Sequence, residues 1–195
     1  KAKPLNFKGV VSSIPQRRIS QDTCGRYGVT VEYTSTGEIE KHYYPYYDLS
    51  TGDLCAAKVR EVKTKGFMSM GDVGNVGFFG QQQCNRNTYI TITEGELDAL
   101  AIYEMSGKSW DVVSLRSGAS NAAKEIKAQL EWLEGYDTVV LCFDNDKAGE
   151  EAVEQVKDLF SPDKLKICKL PLKDASDMLM ANKVKDFTQH WWNAK

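Results

Sequence analysis

The sequence predicts an α/β fold: a mostly parallel sheet with flanking helices, preceded by a smaller, basic and β-rich subdomain. From residue 87 onward, strand-like segments alternate with segments of helical periodicity, which is typical of parallel strands joined by helical crossovers. Before that point, short alternating segments are separated by turn residues, as in β-hairpins. We expect three parts, namely residues 1–85 as the basic subdomain, 86–180 as the α/β subdomain and 181–195 as a helical tail.

The first subdomain is predicted to open with a short helix, for which Ser20 is the expected N-cap and Gly25 or Gly28 the expected end. The segment YGVTVEYTSTGEIEKHYYPYYD then predicts two strands joined by a turn at residues 35–37. A further strand follows in CAAKVREV, where side chains two residues apart share a face.

The α/β subdomain is predicted from four strand segments, TYITITE, WDVVSLRSGAS, DTVVLCFDND and KLKICKLP. After the first of these, the apolar residues from Leu97 to Met105 fall on one stripe, which predicts an amphipathic helix. In the tail, the aromatic residues Phe187, Trp191 and Trp192 are expected to pack on the sheet.

Composition and cysteine usage exclude several classes of protein. No apolar run approaches the roughly 18 residues that a membrane helix needs, so we expect no membrane partner. The five cysteines are scattered without a C-x-x-C pair and the two histidines lie far apart, so we expect no zinc site in this chain. Free thiols indicate a reducing, cytoplasmic compartment. A first residue Lys1 instead of Met indicates a shortened or processed chain.

The charge is unevenly distributed along the chain. Residues 1–85 carry 11 Lys and Arg against 8 Asp and Glu, whereas residues 86–195 carry 14 against 19. A basic part beside an acidic part suits a protein that holds a polyanion on one surface and a divalent metal on another. Ordinary solvated surface is the alternative interpretation of an imbalance of this size.

Acidic residues stand where two predicted strands end. Glu94 follows TYITIT, and Asp144 and Asp146 follow TVVLCF at a spacing of two. In open α/β sheets, ligands bind at the edge formed by the carboxyl ends of the strands. Carboxylates without nearby Cys or His suit Mg²⁺ or Mn²⁺, so three converging acids predict a divalent-metal site. Each acid alone has another interpretation, since Asp146 suits a helix N-cap and Glu94 could order the turn.

These residues carry a resemblance. TEGELDAL, SLRSGAS and CFDNDKAGEEAV resemble the TOPRIM domain, the acid-bearing α/β fold of primases, type IA and type II topoisomerases and some nucleases. In order along nearly the whole chain, RRISQDTC, KVREVKTKGF, TEGELDAL, FDNDKAGEEAVE and LPLKDASD resemble the primase part of the phage T7-type primase-helicases and their mitochondrial relative. The basic KVR strand upstream favours a primase over a topoisomerase.

The resemblance implies roles for particular residues. Glu94 would act as general base or metal partner, Asp144 and Asp146 as a metal-binding pair, and Asp174 in KDAS as a further catalytic acid near the metals. The residues implied to bind nucleotide or DNA are Lys58, Arg60, Lys63, Lys65 and Lys173. This stretch is one residue longer than the family pattern, which leaves open whether Lys63 or Lys65 contacts the substrate.

The implied activity is that of a DNA primase, a nucleotidyltransferase that makes short RNA primers from ribonucleoside triphosphates on single-stranded DNA with Mg²⁺. Two alternatives stay open. One is a TOPRIM metal-dependent nuclease or topoisomerase-like enzyme, and the other is a non-catalytic module that binds single-stranded DNA through HYYPYYD and the basic strand.

The resemblance also implies partners. The family's zinc ribbon and helicase are expected as separate modules, because the chain contains neither C-x-x-C nor G-x-x-x-x-G-K-[ST]. We therefore expect the catalytic middle of a longer protein. A phage origin would place it in the cytoplasm of the infected bacterial cell, and a mitochondrial location is the alternative.

Overall fold

A computed structural model of the chain describes residues 5–85 and 88–195. The chain divides into two compact units, Lys1–Gln83 and Cys84–Lys195. The first holds an antiparallel sheet, and the second holds a parallel sheet flanked by helices, which confirms the predicted fold class. Across these two described stretches, none of the helices combines the length and apolar character needed to cross a membrane.

The first unit is built on four antiparallel strands in the order β1-β2-β3-β4. An α-helix, α1, precedes them, and short 3₁₀ helices lie at Pro15–Arg17, before α1, and at Gln81–Gln83, after β4. The bounds are α1 Gln21–Tyr27, β1 Thr30–Tyr33, β2 Ile39–Tyr47, β3 Leu54–Glu61 and β4 Phe67–Gly71.

Helix α1 begins and ends as its sequence predicts. The side chain of Ser20 accepts a hydrogen bond from the backbone N–H of Thr23 at 3.3 Å. Gly28 ends the helix with φ of 73°, a left-handed conformation that a residue without a β-carbon adopts at little cost. The choice left open between Gly25 and Gly28 is therefore decided for Gly28.

The core of the first unit is aromatic. Phe79 is fully buried and lies within 6.1 Å, centroid to centroid, of the rings of Tyr27, Tyr44 and Tyr46. Tyr44 and Tyr46 come from the HYYPYYD segment of β2, so these two tyrosines pack inside the unit. Their burial removes them as a stacking surface for single-stranded DNA.

The second unit is built on four parallel strands in the order β6-β5-β7-β8. Thr93 pairs with Ser114 on one side and with Cys142 on the other, so these strands end at a common edge. The strand bounds are β5 Tyr89–Thr93, β6 Asp111–Ser114, β7 Thr138–Cys142 and β8 Leu165–Ile167. The helix bounds are α2 Glu96–Met105, α3 Ala122–Ala128, α4 Leu130–Leu133, α5 Lys147–Val156, α6 Ala175–Met180 and α7 Val184–Trp192.

Two predictions about helical faces were wrong in part. Helix α2 is not amphipathic, because every residue except Glu104 is buried where the helix packs against β5, β6, α6 and α7. In the tail, Phe187 and Trp191 are buried as expected, and the Trp191 indole N–H donates to Thr91 Oγ1 of the sheet at 3.0 Å. Trp192 remains 59% exposed, although its ring contacts Tyr89 at the start of β5 edge-on at 5.8 Å, so it packs on the sheet only in part.

Candidate functional site

Glu94 and Asp144 meet at the carboxyl edge of the parallel sheet. Glu94 directly follows β5, and Asp144 lies two residues beyond the end of the neighbouring strand β7. The backbone N–H of Asp144 donates to Glu94 Oε1 at 2.9 Å. The pairing of β5 with β7 thus brings together two acids 50 residues apart in the sequence.

Three carboxylates converge beside this contact. Asp98, Asp144 and Asp174 each offer an oxygen, and these oxygens lie within 4.8 Å of one another. Asp98 belongs to the first turn of α2, is 9% exposed and accepts a hydrogen bond from the backbone N–H of Ser176 at 2.9 Å. Asp174 is the N-cap of α6 and accepts from the backbone N–H of Asp177 at 2.8 Å.

Asp146 occupies a different position from its neighbour two residues back. Its side chain is the N-cap of α5 and accepts from the backbone N–H of Gly149 at 2.9 Å. The capping interpretation is therefore confirmed, and Asp146 lies outside the group of three close carboxylates. The role of Asp146 as a metal ligand stays a prediction.

The site raises the pKa of its acids. Burial, then the charge of Asp144, raises the pKa of Glu94 to about 7, although the N–H of Asp144 and the cation of Lys173 act in the opposite direction. Burial and the charges of Asp174 and Asp146 raise the pKa of Asp144 to about 6. Burial also raises the pKa of Asp98 well above its ordinary value. Such crowding of like charges favours a bound cation.

The donor set and the backbone around it fit a hard divalent cation. All three close ligand atoms are carboxylate oxygens, the class that Mg²⁺ and Mn²⁺ bind.

The start of helix α5 approaches Asp144 and Glu94 closely because Gly149 has no side chain. A β-carbon there would collide with the carbonyl oxygen of Asp144 and lie 2.7 Å from Glu94 Oε1.

A cavity of about 380 Å³ opens next to Asp144. It lies between helix α5 and the ends of β7 and β8, and its volume falls within the range of small-molecule sites. Its lining includes Phe143, Asn145, Val153, Cys168 and Lys169. Asp144 therefore borders a space that a small ligand could enter.

The predicted basic residues lie in two places. Lys58 and Arg60 are half-buried on β3 of the first unit, and Lys63 and Lys65 are exposed in the turn after it. Lys173 belongs to the second unit, next to Asp174, where its carbonyl oxygen accepts from the backbone N–H of Asn145 at 2.6 Å. Its charge lowers the pKa values of Glu94 and Asp144, so it belongs electrostatically to the acidic site.

Sequence reasoning missed Asp98. The residue lies four positions after Glu94 in TEGELDAL, a spacing that puts it in the first turn of α2. An acid in the first turn of a helix is common as a partner of the helix dipole, so the residue alone gave little signal. The informative signal is the pair of acids four residues apart at the start of a buried helix.

Comparison with known proteins places this geometry in a family. Residues 91–179 match the family model described as Toprim-like. The chain is 31% identical to the DNA helicase/primase of Enterobacteria phage T3 over 203 residues, which cover 99% of this chain and 35% of that protein. The chain thus spans about a third of the length of this relative.

Two solved structures are similar over the whole chain. The primase fragment of the bacteriophage T7 primase-helicase protein is 30% identical with a TM-score of 0.87, covering 98% of this chain and 80% of that one. The other is a complex of the T7 lagging-strand DNA polymerase with two primase domains bound to an RNA/DNA hybrid and dTTP. The matched chain of that complex is 31% identical to this chain with a TM-score of 0.87, and the match covers 100% of this chain and 98% of that one. The chain belongs to the family of TOPRIM-containing primase parts of the phage T7-type primase-helicases.

Proposed function

We propose that the chain is the catalytic part of a DNA primase, a nucleotidyltransferase that joins ribonucleoside triphosphates into short RNA primers on single-stranded DNA with Mg²⁺. One observation carries the proposal. In a chain of this family, three carboxylate oxygens converge within 4.8 Å, and Glu94 lies next to them, where it accepts a hydrogen bond from the backbone N–H of Asp144. This arrangement suits phosphoryl transfer, in which carboxylates hold metal ions that in turn would bind a triphosphate.

Glu94 is suited to act as the general base. A base works best when its pKa lies near the working pH, and burial raises the pKa of Glu94 to about 7. The N–H of Asp144 fixes Oε1, so the other carboxylate oxygen is available to accept the proton of a primer 3′-hydroxyl. The turn thereby presents a base in a fixed orientation.

Asp98, Asp144 and Asp174 would hold the metal, with Asp146 as a further ligand. When bound, Mg²⁺ would lower the pKa of the attacking hydroxyl and neutralise charge on the pyrophosphate leaving group. The cations that would bind phosphate groups of nucleotide or template are Lys58, Arg60, Lys173 and either Lys63 or Lys65. Their contribution should weaken as salt increases.

The proposed partners follow from the length of the relatives. Since the chain spans 35% of the T3 helicase/primase, a zinc-ribbon module and a helicase domain would act with it in a longer protein. The cytoplasm of an infected bacterial cell is the corresponding location. Template recognition would then be divided between this chain and the zinc ribbon.

The test is to incubate the chain with single-stranded DNA, labelled ribonucleoside triphosphates and Mg²⁺, and to separate the products by length. New RNA oligonucleotides, made slowly and with little template preference, support the proposal. Shortened DNA would instead indicate a nuclease, and binding without either product would indicate a non-catalytic module. Asp144→Asn is the matched control, because it removes one charge at constant shape.

A further inference from the structure

An exposed aromatic ring lies among the cations of the first unit. Phe67 opens β4, the edge strand of the antiparallel sheet, and is 51% exposed. The next residue, Met68, is 53% exposed on the opposite face of the same strand. A half-exposed phenylalanine gains little from folding, so its position is unexplained by packing in the described part of the unit.

Two cations from β3 lie against this ring. The Lys58 ammonium lies 4.4 Å from the ring centroid, and the Arg60 guanidinium carbon lies 5.4 Å from it. Arg60 pairs directly with Phe67 across β3 and β4, and Lys58 pairs with Ser69, so all four side chains lie on one face. This face therefore combines a flat apolar surface with two positive charges.

The combination matches a single-stranded nucleic acid. Bases stack on an exposed ring, and Lys and Arg bind the phosphates on either side. The two cations are two residues apart on one strand, a separation of roughly 6.6–6.8 Å, so they form a short row instead of a point. A row of cations along β3, next to the edge strand β4, fits successive phosphates of a chain better than the clustered phosphates of one nucleotide.

We infer that Phe67 is a stacking platform for one base of single-stranded DNA, whose adjacent phosphates bind Lys58 and Arg60. The inference rests on the proposed function, because the bound strand would be the template. The proposal gives Phe67 a role in binding a base, which contacts of Lys58 and Arg60 with phosphate alone would not require. The base would stack on the ring of Phe67, and the phosphates would bind the two cations that lie against the ring in the free protein.

The test measures the affinity of the chain for two fluorescent oligonucleotides of equal length, one of DNA and one with abasic sites throughout. Phe67→Ala should weaken binding of the base-bearing strand roughly 5- to 150-fold, the range for loss of one stacked base. Affinity for the abasic strand should stay unchanged. Phe67→Leu, which is apolar but has no ring, should behave as the alanine variant does, and Phe67→Trp should keep the affinity.

Tyr33→Ala is the matched control, because Tyr33 is a 42% exposed aromatic residue on β1, at the opposite edge of the same sheet. It should leave both affinities unchanged. Equal weakening of both oligonucleotides by Phe67→Ala would show that the ring only positions the cations, and would overturn the inference. So would an unchanged affinity in that variant, or a wild-type chain that does not bind the base-bearing strand at low salt.

Binding is measured without nucleotide or metal, so the outcome is independent of catalysis. A chain that makes no primers but binds DNA through Phe67 refutes the proposed function alone. A chain that makes primers while Phe67→Ala binds DNA normally refutes the inference alone.

Discussion

The acidic site and the basic face, which comprises Lys58 and Arg60 on β3 with Lys63 and Lys65 in the turn after it, hold their charges in different ways. Glu94, Asp98 and Asp174 each accept a hydrogen bond from a backbone N–H, so the fold itself fixes their carboxylates. In the basic turn, Lys63 and Lys65 extend into solvent. The difference teaches that the held acids are suited to set the geometry of a reaction, whereas Lys63 and Lys65 are suited to strengthen binding without fixing a position. Substitutions in the two regions should therefore have different consequences.

Asp144→Asn should produce the largest effect. We expect Mg²⁺-dependent primer synthesis to fall by about a thousandfold, the equivalent of about 4 kcal/mol in the barrier, because a metal ligand is lost. The backbone N–H that donates to Glu94 is retained, so the fold should survive. Turnover and circular dichroism on one preparation measure both.

Asp146→Asn should also lose activity while keeping its helix cap, because Asn caps helices as well as Asp does. Full activity of wild type in a chelator, with the metal demonstrably removed, would contradict both expectations.

Glu94→Gln should separate chemistry from structure at the same edge. Loss of a general base should reduce turnover by roughly 10²- to 10⁴-fold. The amide oxygen can still accept from Asp144 N–H, and one charge leaves a crowded site, so Tm without metal should stay level or rise. A less stable but still active variant would show that Glu94 only orders the turn.

Gly149→Ala should break the acidic site through its backbone. Alanine normally stabilises a helix, but here the new β-carbon would collide with the carbonyl oxygen of Asp144. We expect a loss of about 1–3 kcal/mol of stability, as for an overpacked core, together with reduced activity. Gly25→Ala in α1 is the control, since its β-carbon would meet only Val11 at an ordinary 3.6 Å. Equal denaturation midpoints for the two variants would contradict the close approach.

How much of this site was predictable depends on sequence separation. Glu94 and Asp144 could be placed at one edge because alternation of strands and helices predicts parallel neighbours. Asp98 could not, since its hydrogen-bond partner Ser176 lies 78 residues further on and in no repeating pattern. The same limit applies to α2, whose polar-looking face is covered by α6 and α7 from the end of the chain. Local capping, as at Ser20, was predictable because its partners lie within three residues.

The metal-free protein should lose stability as the pH rises. The pKa of Glu94 is raised from 4.5 to about 7 and that of Asp144 from 3.8 to about 6, so the folded state binds more protons than the unfolded state between these values. The stability that the folded state gains from binding these protons is complete below about pH 4, and it is lost as the pH rises through 6 to 7. Calorimetry between pH 5 and 8 should show a falling Tm. Mg²⁺ should offset the fall, and Glu94→Gln should flatten it. A pH dependence that is the same in wild type and Glu94→Gln would refute the contribution of Glu94.

The smallest effects on the fold should come from the basic face. Lys58→Ala and Arg60→Ala should each weaken binding of single-stranded DNA and lower the slope of log affinity against log salt by about 0.7, because one phosphate contact is lost. Their Tm should change little, since partly exposed charges contribute little to folding. Removal of either cation also uncovers the ring of Phe67, so affinity for a base-bearing strand should fall less than affinity for an abasic one. Anisotropy titrations at several salt concentrations measure the slopes. If both variants unfold while the folded fraction binds DNA normally, Lys58 and Arg60 are structural, and the contrast between an acidic site fixed by the fold and a basic surface that binds DNA is wrong.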